Sequence, residues 1–379
     1  MRLASLHLRE IRMPLKEPFR ISSGVQTLRR ILLVEATDEE GRIGWGECTA
    51  GEEPNYSSET IDTAWLAIRE WVAPRVLGQE VEGPEEVHPL LKHNFRGHSM
   101  AKGAVEVACW DLAAQRRGLP LAALLGEGRG EIKQEIEVGI SLGIQESPRA
   151  LAEKAASCLA RGYRKIKIKI GPGEDLDYIA AVREALGGEA PLMADANNAY
   201  GLADFDRLAA LDAFELIMIE QPLACDDLLR HAELQRRLRT PLCLDESITN
   251  LDRAEDMVAL DAGRIVNIKV GRVGGIASAL SIHDFCRSRG VPVWCGGMLE
   301  SGIGRAVNVA LASLPGFSIP GDISPSERYW ERDVVTPEWT MDGRGRIRVP
   351  LDRPGLGVAV DFDRIENLTA RAERLGGGR

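Results

Sequence analysis

Hydrophobic and polar positions alternate along Arg2–Leu15, the two-residue period of a half-buried strand. Ile31–Ala36 is an apolar run, Asp38-Glu39-Glu40-Gly41 reads as a turn, and Ile43–Glu47 returns, so a hairpin is predicted. From about Ser58 to Leu125 the period lengthens to that of a helix: Ile61, Ala64, Ala67 and Ile68 share one face, as do Ala104, Val105, Ala108 and Leu112. Residues 1–128 are therefore expected to form an α+β unit. After Gly130 the texture changes. Eight short apolar runs alternate with helical stretches: Val138–Ser141, Lys165–Lys169, Leu192–Asp195, Leu216–Glu220, Leu242–Asp245, Ile265–Lys269, Val291–Gly296 and Phe317–Asp322. Their last residues lie 28, 26, 25, 25, 24, 27 and 26 positions apart, the length of one strand–helix unit. Leu251, Ala254, Met257 and Val258 supply the apolar face of one intervening helix. Eight such units predict a β/α barrel over 129–325. An open doubly wound sheet is the rival, but the Gly-rich phosphate turn after its first strand is missing. The tail, 326–379, carries Trp330, Trp339 and several Pro and Gly and does not continue the barrel. It is expected to return to the first domain.

Composition narrows the function. The 379 residues are 44% hydrophobic and 27% charged, enough for a sizeable core in a soluble protein. The balance of 47 basic against 57 acidic residues, net −10, and the lack of a basic stripe argue against nucleic acid. No apolar run is long enough to cross a bilayer, and MRLASLHLRE is expected to be neither signal nor transit peptide. Seven scattered cysteines without a C-x-x-C pair are expected to be reduced, in a cytoplasmic protein.

Barrel chemistry sits at the C-terminal ends of the strands. That ring contains Lys169, Asp195, Glu220, Asp245 and Lys269, from five consecutive units. Three converging carboxylates repel one another unless a cation joins them, and all-oxygen donors suit Mg²⁺, with Mn²⁺ or another divalent ion as substitute. The alternative is a structural cluster of ion pairs with the neighbouring lysines. In Lys165-Ile-Lys-Ile-Lys169 the three ammonium groups share one strand face and point into the barrel. Inward lysine is costly unless paired or functional. A second ammonium and a divalent ion nearby would favour neutral Lys169, a usable base. Lys269 lies four strands on, across the barrel. None of the six histidines falls at a strand end, so proton transfer rests on lysine. A carboxylate substrate held by the ion would lose its α-proton to one lysine. The other would return it on the far face, or stand beside the enediolate while a β-group departs.

Further motifs carry a family likeness: Pro18–Gly24, Ala101–Leu112, the K-x-K run, Asp195-Ala-Asn197, Ile219-Glu-Gln-Pro222, Leu244-Asp-Glu-Ser247, Asn267–Arg272, Cys295–Arg305 and Asp322–Arg332. Over nearly its whole length the chain resembles the enolase superfamily, and within it the o-succinylbenzoate synthase / N-acylamino acid (N-succinylamino acid) racemase group. The resemblance implies a modified (β/α)8 barrel, (β/α)7β, with an α+β capping domain. It also implies Asp195, Glu220 and Asp245 as Mg²⁺ ligands, Lys169 and Lys269 as acid/base residues, and Lys167 beside the substrate carboxylate. Arg272 is similar to an arginine of racemising members. Two cap loops, Phe19–Gly24 and Thr49–Pro54, would close over the substrate, with Phe19 or Ala50 facing it. Ser141, Asn197 and the Gly296–Leu299 turn, with Gly297, Met298 and Leu299, would line the ligand. The implied activity is o-succinylbenzoate synthesis, a dehydration toward menaquinone, or racemisation of N-succinyl or other N-acyl amino acids, in a homo-oligomer. Muconate cycloisomerases share both lysines. Dipeptide epimerases carry a D-x-D pair where this chain has Asp322-Ile-Ser. Outside this chemistry stand a Schiff-base aldolase using Lys269 and a non-catalytic barrel that binds a ligand.

Overall fold

The structure is a computed structural model that describes residues 1–21 and 24–376. Ser22 and Ser23 of the first expected cap loop, and 377–379 of the tail, lie outside the described residues. Three strands open the chain: β1 (Leu3–Ile21), β2 (Gly24–Asp38) and β3 (Ile43–Cys48), each antiparallel to the one before. Leu6, Leu8, Leu32 and Val34 enter a core shared with the cap helices, while Ile11, Ile31, Leu33 and Trp45 enter the large core on the other side. A sheet covered on both faces explains the unbroken apolar run in β2. The helix Ser99–Arg116 is buried along almost its whole length and packs against β2, β3 and the barrel.

A short strand, β4 (Glu135–Glu137), leads into the barrel. Its strands are β5 (Ile140–Leu142), β6 (Ile166–Lys169), β7 (Leu192–Asp195), β8 (Ile219–Glu220), β9 (Leu242–Leu244), β10 (Ile265–Ile268) and β11 (Val293–Cys295). They pair in parallel in chain order. Helices follow, several started by a side chain that takes up a free N–H: Ser147 caps Ala150, Asp227 caps Arg230 and Asn250 caps Arg253. The eighth expected run, Phe317–Asp322, is not a regular strand. It touches β11 through a Val293–Phe317 bridge and the other side through a Val138–Gly321 bridge, which closes the ring. Pro320 has no N–H to give a ladder, so pairing is confined to single residues.

The tail divides its contacts. Of its strands, β12 (Val335–Thr336) pairs with β14 (Ala359–Val360), and β13 (Arg346–Arg348) pairs with β4. β15 (Thr369–Gly376) lies antiparallel to β1, which makes the cap sheet order β15-β1-β2-β3. Among the described residues no helix is long and apolar enough to cross a membrane.

Buried carboxylates hold the cap on the barrel. Glu106 accepts N–H bonds from Ile276 (2.7 Å), Ala277 (2.8 Å) and the Trp110 indole (2.7 Å). Glu47 accepts from Ser301 N (3.1 Å), Ser301 Oγ (2.6 Å) and Gly304 N (3.0 Å). Asp111 accepts from Trp45 N (2.9 Å) and Leu356 N (3.0 Å), joining cap to tail. Burial pushes Glu47 and Glu106 up to about 7 and Asp111 up to about 6, against the N–H bonds that favour the charge. A folded-state value above the unfolded one contributes stability at low pH that is lost as pH rises through it. The stability advantage of the wild type over Glu106→Gln should therefore grow as pH falls from about 8 to about 5, read by urea unfolding of both chains across that range.

Candidate active site at the barrel mouth

Strand alternation sorts the lysine run. Ile166 and Ile168 face the helices in the large core, while Lys165, Lys167 and Lys169 point inward at 0%, 3% and 9% exposure. The same parity turns Met193 and Asp195, Cys243 and Asp245, and Asn267 and Lys269 into the barrel. Met193, Met218, Cys243, Ile265 and Trp294 form an apolar floor. The charged side chains stand above it.

Every carboxylate of the ring has a cationic partner. Lys169 Nζ donates to Asp195 Oδ2 (2.6 Å) and Asn197 Oδ1 (2.6 Å). Lys167 Nζ lies 3.0 Å from Asp195 Oδ2, 3.0 Å from Glu220 Oε2 and 2.6 Å from Asp322 Oδ2. Across the barrel, Lys269 Nζ donates to Asp245 Oδ2 (2.7 Å), and Arg272 pairs with Asp245 Oδ1. Asn267 Nδ2 donates to Glu220 Oε1 (2.6 Å). Behind the ring, Gln221 Oε1 accepts from the backbone N of Asp245 (3.0 Å) and Ser247 (3.1 Å), fixing the end of β9.

Burial works against the charge on Asp195, but Lys169 and Lys167 outweigh it and hold the carboxyl far below its ordinary range. Glu220, buried beside the charge on Asp195, is pushed up. For Lys269, burial pulls down while Tyr56, Glu220 and Glu246 pull up, and the net direction is up.

The expected residues take distinct places. Lys169, Lys269, Lys167, Asp195, Glu220 and Asp245 share one network, and Asn197 joins it through Lys169. Ser141 pairs in register with Lys167, and its buried Oγ has no partner. Gly297, Met298 and Leu299 are half-buried at the mouth, and Met298 lines a cavity of about 20 Å³ with Lys269. Ala50 is fully buried in the cap core, because its methyl fills space between cap elements. Phe19, on the other cap loop, is half-buried.

Several members of the network escaped sequence reasoning. Tyr56, just past the expected second cap loop, donates to Asp245 Oδ1 (2.9 Å) and lies 3.3 Å from Lys269 Nζ. Glu246 accepts from Asn197 Nδ2 (3.2 Å), and its other oxygen has no partner. Asp322 pairs with Lys167 and, at 3.2 Å, with Lys165. The signal for Asp322 was its position at the end of the eighth run; for Tyr56 no period or spacing marked it.

The donor set is oxygen-only and nine-tenths buried, as a hard divalent cation needs. The Lys167 ammonium already stands as a positive charge between Asp195 and Glu220. With the lysines so placed, no three His, Cys, Asp or Glu side chains are gathered as a ready ligand set among the described residues. In donor chemistry the three carboxylates suit such an ion, and Lys167, Lys169, Lys269 and Arg272 now take up their oxygens.

Two family models match the chain: mandelate racemase / muconate lactonizing enzyme, N-terminal domain, over residues 4–126, and enolase C-terminal domain-like over 150–364. An o-succinylbenzoate synthase of Geobacillus stearothermophilus is 49% identical over 366 residues, 97% of this chain and 96% of the relative. An N-succinylamino acid racemase of an Amycolatopsis species is 45% identical, covering 99% and 100%. Among solved structures, a dipeptide epimerase of Cytophaga hutchinsonii, complexed with Mg and the dipeptide D-Ala-L-Val, is similar with a TM-score of 0.90. It is 28% identical over 99% of this chain and 100% of its own.

Gly296, at the end of β11, leaves the room that Lys269 occupies: a Cβ there would lie 2.7 Å from Lys269 Cε and closer still to the Asn267 amide. Gly296→Ala should cost about 1–3 kcal/mol through overpacking. Urea unfolding reads the cost, and a crystal structure of the variant should show the Lys269 side chain displaced.

Proposed function

The chain belongs to the enolase superfamily, in its mandelate racemase / muconate lactonizing enzyme family, and we propose that it removes the proton α to a substrate carboxylate, acting as o-succinylbenzoate synthase, N-succinylamino acid racemase, or both. The observation that carries this reading is the pair of inward lysines, Lys169 and Lys269. They stand four strands apart, each nine-tenths buried and each hydrogen-bonded to a different carboxylate of one ring.

Asp195, Glu220 and Asp245 are the side chains that would hold Mg²⁺ or a substitute divalent ion. When bound, the ion supplies positive charge beside the substrate carboxylate and lowers the cost of the enediolate. The chain's own groups do the rest. The Lys167 ammonium, 2.6 Å from Asp322, stands beside the substrate carboxylate as a positive charge. Lys169 Nζ, oriented by Asn197, takes the α-proton on one face. Lys269 Nζ, oriented by Asp245 and Tyr56, holds a proton on the other. If Lys269 delivers that proton, the α-carbon inverts. If it keeps it, the ammonium neutralises charge on the enediolate while the β-hydroxyl leaves as water with the proton that Lys169 took from the α-carbon, which is dehydration. The apolar floor below and the cap loop carrying Tyr56 above exclude water from the proton-transfer path.

The test is a side-by-side kcat/KM, with Mg²⁺, for a succinyl-hydroxycyclohexadiene carboxylate and a set of N-succinyl amino acids, together with α-proton exchange in D2O. EDTA should abolish both activities and Mg²⁺ restore them. Lys169→Ala should lose about 10²–10⁴ in both reactions. Lys269→Ala should lose racemisation by the same margin and slow dehydration. The wild type should exchange both enantiomers of an N-succinyl amino acid, and each single variant at most one. Wild-type rates in either variant would refute the assignment.

A further inference from the structure

Below the ring lies a pair of charges that the proposed chemistry does not use. Lys165 is fully buried, and its ammonium sits 3.5 Å from the centroid of the Trp294 ring. Its charge partner is Asp322 Oδ1 at 3.2 Å, an ion pair without hydrogen-bond alignment. Gly139, just before β5, makes the space, since a Cβ there would lie 2.7 Å from Lys165 Cε. An isolated buried ammonium is costly, and a side chain walled off by an apolar floor cannot reach a substrate. What Lys165, seated against the Trp294 ring, does is pair with Asp322 Oδ1 while the second oxygen faces Lys167.

Lys167 divides its ammonium among three carboxylates, and Asp322 is the nearest at 2.6 Å. The other two, Asp195 and Glu220, are two of the three groups assigned above to a divalent cation. An ammonium and a dication cannot share those oxygens without strong repulsion. We propose that Asp322, paired with the Lys165 ammonium that rests on Trp294, is the berth to which the Lys167 ammonium withdraws when a divalent cation takes Asp195 and Glu220. Asp322 and Lys165 are thus positioning residues that set how tightly the ring binds its ion. The inference rests on the reading of the ring as a cation site.

Calorimetric titration with Mg²⁺ alone, without substrate, tests it on four chains: wild type, Asp322→Asn, Lys167→Met and the double variant. Asp322→Asn should bind Mg²⁺ about 10- to 100-fold more weakly, the range for groups that orient ligands from behind. In the Lys167→Met background the same substitution should leave the affinity unchanged, because no ammonium remains to compete. Equal affinity for wild type and Asp322→Asn overturns the proposal. So does the same loss in both backgrounds, the mark of a merely structural role. A wild type that takes up no Mg²⁺ overturns the reading of the ring itself. Should Asp322→Asn fail to fold by thermal unfolding, Lys165→Met/Asp322→Asn, which removes the buried cation with its partner, takes its place under the same outcomes.

Discussion

Charge compensation among buried side chains at the barrel mouth is the constraint on which the rest of this structure depends. Asp195, Glu220, Asp245, Glu246 and Asp322 face Lys165, Lys167, Lys169, Lys269 and Arg272, and all ten are less than one-tenth exposed. Ionic groups so buried gain little net stability from pairing, and losing one partner strands the other. The arrangement is therefore better understood as a stored electrostatic field than as a source of stability. A scaffold that carries such a field must be rigid, and the closed ring of strands around an apolar floor supplies that rigidity.

The cap takes part in the same field. Tyr56 reaches from the cap to Asp245 and Lys269, so one of the two lysines is oriented by a residue outside the barrel. Docking of the cap relies in turn on Glu47 and Glu106, each satisfied by N–H groups at the starts of barrel helices. Donors at a helix start suit a carboxylate, which is how a charged group can be buried at a domain contact. Geometry at the mouth is thus coupled to the seating of the cap.

Much of this was legible in the sequence because it is periodic. The near-constant spacing of apolar runs reports one strand–helix unit after another, and the two-residue period of Lys165–Lys169 reports three inward ammonium groups. Where period fails, sequence reasoning failed with it. The eighth run has the right spacing, but Pro320 reduces it to single bridges. Tyr56 lies in an irregular loop whose path is set by packing and not by pattern. Ala50, two residues past the Cys48 end of β3, is fully buried in the cap core, and no local period marks that burial. The pairing of Asp322 with Lys165 and Lys167 joins positions some 155 residues apart, and no local signal announces it.

β15 completes the cap sheet beside β1, with Ile11 paired to Thr369. At synthesis rates of about 5–20 residues per second, β1 emerges on the order of tens of seconds before its neighbour exists. During that interval the nascent cap presents an unpaired strand edge, a ready template for other chains. The last strand thus acts as a late fastener, and the nascent chain has most to gain from a chaperone between the birth of its first strand and the arrival of its last.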